Sequence, residues 1–336
     1  MSTTKQVAVL NAGGWGTALA AHLARQGHAV TLWARRPELA EVINARHENP
    51  DYLPGVALPP SVRASADLED AVHNCSVIVA TPISSAMREL ARRLVPHIGP
   101  DVLLVHGTKG LEPGTLLRQS QVLEAELGPR VAGRVAVLSG PTHAEEVGRG
   151  IPTAAVVACL DESVALALQQ LFNAATFRVY TNPDVIGVEL CGSVKNVIGI
   201  AAGISDGLGY GDNAKAAITT RFLAELGRLV AAQGGQYPTV AGLAGVGDIM
   251  ATTSSRHSRN RWCGEQLGRG AALAEVLAST RMVVEGVPAT RAALALAEQC
   301  GVELPITRKV YSILFEGQPP LKALAELMGR QTTGES

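Results

Sequence analysis

The stretch QVAVLNAGGWGTALAAHLARQGHAVTLW, Gln6 to Trp33, decides the fold. Its short apolar and β-branched run, Val7 to Leu10, ends at Asn11-Ala12-Gly13-Gly14-Trp15-Gly16. Apolar residues then recur at helical spacing from Thr17 to Gln26, Gly27 breaks the pattern, and Ala29 to Trp33 reads as a second strand. A strand, a glycine-rich turn, a helix and another strand form the setting that a dinucleotide fingerprint requires. Gly13 would let the backbone approach a pyrophosphate, and Gly16 would let helix and strand pack closely. Amides at the helix start would face the phosphates, helped by the helix dipole. Asn11 stands at the first glycine position, and asparagine tolerates left-handed backbone better than most residues. After Trp33 the usual acid is absent and Ala34-Arg35-Arg36 takes its place. An acid there grips a ribose 2′-hydroxyl, whereas arginine accommodates a 2′-phosphate, so NADP(H) is expected to be accepted at least as well as NAD(H).

Outward from this unit, Ser76–Ala80, Val102–Val105 and Arg134–Ser139 read as strands, with helices at Ser84–His97 and Leu116–Leu127. Thr153–Cys159 and Thr176–Tyr180 are two more β-rich runs that extend the sheet. Such alternation implies a parallel, doubly wound α/β sheet. Ligands of open α/β sheets bind beyond the carboxyl ends of the strands. The loops Thr81-Pro82, Gly107-Thr108-Lys109-Gly110 and Ser139-Gly140-Pro141-Thr142-His143 are placed for that, and Lys109 is a candidate cation for substrate or cofactor. From about Gly187 the period becomes helical, through Val194, Val197, Ile198, Ala201 and Ala202, then in Gly286–Cys300, Pro305–Glu316 and Leu321–Met328. The expected division is a nucleotide-binding domain over 1–188 and an all-α domain over 189–336.

Composition narrows the function classes. Apolar residues at 47% and charged residues at 18% predict a well-buried globular core, and a net charge of −1 gives no general attraction for nucleic acid. The eight histidines show no clustered ligand spacing, so no metal is expected. Five cysteines without C-x-x-C read as reduced thiols of a cytoplasmic protein. No apolar run is read as approaching the roughly 18–20 residues of a membrane span.

Two further motifs carry chemistry. Lys195, in ELCGSVKN from Glu189 to Asn196, is placed where a long apolar helix begins, and Ser258-Arg259-Asn260-Arg261 is a phosphate-type cluster. Hydride delivery to a ketone leaves an alkoxide, so a group must donate a proton as charge builds. A lysine desolvated beside another cation is suited to that role. Asp248, in Gly245-Val246-Gly247-Asp248, could orient the ammonium or a substrate hydroxyl. The Arg259 guanidinium suits a phosphate bidentately, with Ser258 and Asn260 completing a polar cradle. Arg261 reads as a solvated or structural partner.

These residues lie in long motifs: GTALA (16–20), TKGLE (108–112), SGPTHAEE (139–146), FRVYTNPDVIGVELCGSVKNVIGIAAGISDGLGYGDNAKAA (177–217), GLAGVGDIMATT (242–253), SRNRWCGEQLGRG (258–270) and VVEG (283–286). In them the chain resembles the bacterial NAD(P)-dependent glycerol-3-phosphate dehydrogenases over roughly residues 6 to 330, departing at Asn11 and at Lys215. The resemblance implies an N-terminal Rossmann domain, a helical C-terminal domain, and reduction of dihydroxyacetone phosphate to sn-glycerol 3-phosphate, a phospholipid precursor, without a metal. It implies Lys195 as proton donor and acceptor. It implies that Gly14, Trp15, Arg35, Arg36 and Ala144 contact NAD or NADP, and that Lys109 borders both ligands. Gly140, Thr142, Asp248, Ser258, Arg259 and Asn260 would meet the phosphorylated triose; Arg259, Val283 and Glu285 would also touch the cofactor. A homodimer is compatible with a helical second domain. Two other readings stay open on the residues alone: a 3-hydroxy-acid or hydroxyacyl dehydrogenase on the same fold, and a nicotinamide-sensing regulator without turnover.

Overall fold

A computed structural model of the protein describes residues 4–99, 101–255, 258–280 and 283–329. Among the described residues ten strands are formed: β1 (Gln6–Leu10), β2 (Ala29–Trp33), β3 (Glu48–Asn49), β4 (Leu53–Ala57), β5 (Val62–Ser65), β6 (Val77–Ala80), β7 (Leu103–His106), β8 (Val135–Ser139), β9 (Thr153–Ala158) and β10 (Phe177–Asn182). Eight make one sheet in the order β10-β9-β8-β7-β6-β1-β2-β5, and β3 pairs with β4 in a small antiparallel ribbon. Successive residues of a strand point to opposite faces. Val7, Val9, Val77 and Val79 accordingly enter one core, and Ala8, Leu10, Ile78 and Ala80 enter another. Helices α1 (Gly14–Arg25) and α2 (Pro37–Arg46) cover the first face with Leu19, Leu23, Leu39 and Ile43. Helices Met87–Leu94 and Gln119–Leu127 cover the second with Met87, Leu90, Val122 and Leu123. Burial on both faces is why these strands read as unbroken apolar runs rather than alternating ones.

The sheet is parallel from β5 through β2, β1, β6 and β7 to β8, but β9 joins β8 antiparallel, with Val137 opposite Ala158 and Ser139 opposite Val156. A parallel return needs a crossover long enough to run back along the sheet. Between β8 and β9 there is only the five-residue helix Ala144–Gly148. At 1.5 Å rise per residue it spans roughly 7 Å, well short of a strand's length. The helix read over Leu116–Leu127 begins at Gln119, because Leu116 sits at φ 60° and closes a turn before it. The one read over Ser84–His97 opens as a 3₁₀ turn, Ser84–Ala86, and continues as Met87–Leu94.

The chain separates into two compact units between Glu189 and Leu190. All regular elements of the second unit among the described residues are helical. The long helix Val185–Gly207 starts ten residues before Lys195, where the Asp184 carboxylate accepts from the Gly187 amide at 2.8 Å. Lys195 therefore lies mid-helix, not at a helix start. The same helix corrects the reading of hydropathy: its 23 residues are long and apolar enough to cross a membrane by length and composition, yet 94% of that apolar window is buried inside the protein. Small residues and scattered polar ones, Glu189, Ser193, Asn196 and Ser205 among them, concealed the run.

Glu225, on helix Asp212–Ala232, is buried and accepts from the amides of Ile306 (2.5 Å) and Thr307 (3.2 Å) and from the Thr307 hydroxyl (3.1 Å). It thus satisfies the first amides of helix Pro305–Phe315, whose own flanking residue, Leu304, offers no side-chain cap. Burial pushes its carboxyl up to about 7 from an ordinary 4.5, against hydrogen bonds that favour the charge. A folded value above the unfolded one means that stability from this group is complete below the unfolded value and is lost as pH rises through the folded one. The melting midpoint is expected to fall between about pH 5 and about pH 8, and to fall less in Glu225→Gln. Calorimetry of the two proteins across that window checks it; parallel pH profiles would contradict it.

Candidate active site

In the first unit, the fingerprint turn is built as a cradle without room for side chains. Asn11 sits at φ 92°, so the residue in the first glycine's place does adopt the left-handed conformation. Its side chain donates to the Thr81 carbonyl at 3.0 Å, and the Thr81 hydroxyl returns to the Leu10 carbonyl at 3.2 Å, tying β1 to β6 beneath the turn. A Cβ on Gly16 would lie 2.1 Å from the Asn11 carbonyl, and one on Gly14 would lie 2.9 Å from the Tyr52 carbonyl. A Cβ on Gly13 would meet the Asn11 amide at 3.1 Å. Ala144 packs beside Gly14, 3.7 Å from the Cβ that Gly14 lacks. The first amides of α1 thus start at a close-packed glycine turn, a setting that suits a dinucleotide pyrophosphate. Trp15 adds a buried indole Nε1 with no hydrogen-bond partner among the described residues. Gly107 lies directly against that indole, with only 2.5 Å between its would-be Cβ and Nε1.

The neighbouring loops converge as their places at strand ends require. Lys109 is half-buried, and its ammonium donates to the Gly140 carbonyl at 3.1 Å; the Thr142 hydroxyl donates to the same carbonyl at 3.2 Å. Gly140 at φ 130° turns the chain there in a conformation glycine alone adopts readily. The root of the Lys109 loop is His106, whose Nε2 lies 3.1 Å from the buried Glu189 carboxylate. Burial opposes that charge, but His106, Arg118 at 2.6 Å and the Ser120 amide and hydroxyl hold Glu189 ionised, down at about 2. Arg35 and Arg36 are exposed just beyond β2, with Arg36 ion-paired to Asp51.

In the second unit, Lys195 is buried, and its ammonium reaches Asp248 Oδ1 at 2.9 Å and Thr252 Oγ1 at 2.6 Å. Asp248 thus meets the ammonium, as its place in Gly245-Val246-Gly247-Asp248 suggests, and a carboxylate rather than a second cation is the charged group against this amine. Asp248 opens helix Asp248–Ser254, which sets Thr252 four residues on, one turn along the same face. Thr252 was not singled out from the sequence; its spacing from Asp248 was the available signal. Ser258 caps helix Arg259–Gly268 by accepting from the Arg261 amide, which leaves Arg259 exposed on the first turn. Asn260 is buried; its amide nitrogen donates to Asn196 Oδ1 at 2.9 Å and its oxygen accepts from the Gly286 amide at 2.8 Å. It clamps three helices, and Asn196, beside Lys195, is a second residue that sequence reasoning passed over. Val283 is exposed, and Glu285 flanks the start of helix Gly286–Cys300 next to that clamp. Arg261 is structural: it meets Asp206 at 3.0 Å, and Lys215 holds the other oxygen of the same carboxylate at 2.7 Å.

Glycines bring these groups together. A Cβ on Gly203 would come within 1.9 Å of the Arg261 carbonyl, and one on Gly264 within 2.0 Å of the Ile200 carbonyl. Helices Val185–Gly207 and Arg259–Gly268 therefore touch backbone to backbone. No group of three or more metal-ligating His, Cys, Asp or Glu side chains occurs among the described residues.

Comparison with known proteins gives a consistent result. The sequence model described as the NAD-dependent glycerol-3-phosphate dehydrogenase N-terminus matches residues 6–165, and the one for the C-terminus matches residues 184–325. A protein of Bacillus pumilus named glycerol-3-phosphate dehydrogenase [NAD(P)+] is 50% identical, covering 98% of this chain and 96% of that one. Its namesake in Chlorobium luteolum is 48% identical over 98% of this chain and 99% of that one. Among solved structures, the glycerol-3-phosphate dehydrogenase of Coxiella burnetii superimposes with a TM-score of 0.91 at 40% identity, covering 97% of this chain and 99% of that one.

Because the helix contact leaves no room for a methyl group, Gly203→Ala is expected to destabilise the protein by about 1–3 kcal/mol or more as the helices are forced apart. Urea titration checks this, and an unchanged midpoint would contradict the close packing.

Proposed function

We propose, for a chain that belongs to the NAD-dependent glycerol-3-phosphate dehydrogenase family, a reversible reduction of dihydroxyacetone phosphate to sn-glycerol 3-phosphate in which Lys195 is the general acid. The supporting observation is the buried contact of the Lys195 ammonium with Asp248 and Thr252. The bound reduced nicotinamide, from NADH or NADPH, supplies the hydride. Lys195 donates a proton to the carbonyl oxygen as negative charge develops there, and takes it back in the reverse direction. Asp248 and Thr252 hold the amine in one orientation before substrate arrives, so alignment entropy is not lost during reaction. The site is water-poor around that amine, where a fixed charge acts more strongly on a developing alkoxide than it would in solvent.

Arg259, exposed at the first position of its helix, binds the phosphate, and Ser258 and Asn260 complete the polar cradle around it. Lys109, Gly140 and Thr142 complete the substrate contacts. Gly13, Gly14, Trp15, Gly16, Ala144, Arg35 and Arg36 hold the coenzyme, with Val283 and Glu285 as further contacts. We place the reaction in the cytoplasm, supported by five cysteines without C-x-x-C spacing, and assign its product to phospholipid synthesis, supported by its chemistry as the phosphorylated glycerol on which those lipids are built.

Lys195→Ala is expected to lower kcat by about 10²–10⁴-fold, read from NADH or NADPH consumption with dihydroxyacetone phosphate; near-normal turnover would reject the proton role. Arg259→Ala is expected to act chiefly on KM, by roughly 10- to 150-fold for a charge-assisted contact. The unmodified protein should discriminate strongly against unphosphorylated dihydroxyacetone. A loss confined to kcat in the arginine variant, or equal use of the two ketones, would remove the phosphate assignment.

A further inference from the structure

An acid from elsewhere in the chain, Asp51, stands against Arg36 just beyond the end of β2. The segment between β3 and β4 is pinned to the fingerprint turn by Asn49, fully buried, whose side-chain amide donates to the Ala12 carbonyl at 2.9 Å and to the Thr17 hydroxyl at 2.8 Å. The Asn49 oxygen accepts from the Tyr52 amide at 3.2 Å, closing a tight loop that holds Pro50 and Asp51. On its other side that loop presses the Tyr52 carbonyl toward Gly14, where even a methyl group would approach it to 2.9 Å. The loop thus stands beside the start of α1 and, through Asp51 and Arg36, beside the end of β2. At that point Asp51 pairs with Arg36, whose guanidinium also lies 5.9 Å from the centroid of the Tyr52 ring.

We infer that Asp51 is the ribose-binding acid of this site, accepting from the 2′-hydroxyl of NAD(H), and that its pairing with Arg36 sets the choice between NAD(H) and NADP(H). The inference rests on the coenzyme reading above and goes beyond it by naming the residue that discriminates. The two side chains are about half exposed, 50% for Arg36 and 49% for Asp51, so the ion pair is weakly held and open to exchange. With a 2′-hydroxyl present, Asp51 accepts its hydrogen bond while keeping the guanidinium beside it. With a 2′-phosphate present, Arg36 must be shared between phosphate and carboxylate, and the carboxylate repels the incoming dianion. Arg35, exposed next door, supplies a second cation for the phosphate. One site then admits both coenzymes, with Asp51 raising the affinity for the one and lowering it for the other.

The test is direct binding on the full chain, followed by quenching of intrinsic tryptophan fluorescence, with NADH and NADPH titrated at one low ionic strength. Asp51→Asn, which keeps size and removes charge, is expected to shift the ratio of the two Kd values about tenfold toward NADPH, through weaker NADH binding and tighter NADPH binding. Asp51→Glu is expected to recover part of the original ratio, and Arg36→Gln to shift it the opposite way. The same ordering is expected with AMP and adenosine 2′,5′-bisphosphate, which isolate the ribose end. An unchanged ratio in Asp51→Asn, or an equal loss of both affinities, would overturn the inference, since a carboxylate that only braces the loop would affect both coenzymes alike. Failure of the unmodified chain to bind either coenzyme would overturn the nucleotide reading and this inference together. A shifted ratio in a protein that does not turn over dihydroxyacetone phosphate would uphold the inference and reject the substrate.

Discussion

The approach of two helix backbones at Gly203 and Gly264 is the constraint on which the arrangement of polar side chains in the second unit depends. Each glycine in a helix interior costs about 1 kcal/mol relative to alanine, so glycine at both faces of one contact is a local sacrifice. What it makes possible is a separation at which Asn260 reaches Asn196, and through it the turn of helix that bears Lys195. Had either position carried a side chain, the guanidinium of Arg259 and the amine of Lys195 would be set on helices too far apart to be held by one small amide. The side chains of Arg259 and Lys195 are long and flexible; the fixed separation of their helices lies in residues that have no side chain at all.

The nucleotide-binding half was largely legible because its signals are local. A β-branched run, a glycine turn and a helical period lie within one short stretch, and the left-handed Asn11 follows from what asparagine tolerates. The reading failed where long-range geometry decides. Nothing in Thr153–Cys159 indicates that it enters the sheet against its neighbour; that depends on how short the preceding helix is. The apolar residues after Lys195 suggest a helix start there, whereas the start signal is Asp184, eleven residues upstream of the amine. Thr252 and Asn196 were missed for a different reason: a threonine in a helix and an asparagine after a lysine acquire meaning only when the partner is known.

Asp51 and Glu225 illustrate the same point from the electrostatic side. Asp51 is a surface acid in a loop, separated from Arg36 by a whole helix, and no periodicity connects them. Glu225 sits in an apolar helical stretch where a charge looks misplaced until the bare amides of Ile306 and Thr307 are found against it. Each residue meets a requirement that arises far away in the chain: an exposed guanidinium in one case, an uncapped helix in the other.

The reversal at β9 gives the first unit two unlike rims. Chain segments leaving β1, β2, β6, β7 and β8 emerge together, whereas the segment after β9 emerges at the far rim, with Leu160 69% exposed. That distant corner bears none of the groups assigned to ligand binding in this unit. A fluorophore or affinity handle attached at Leu160 would report on the domain, or immobilise it, without intruding on the glycine turn after β1.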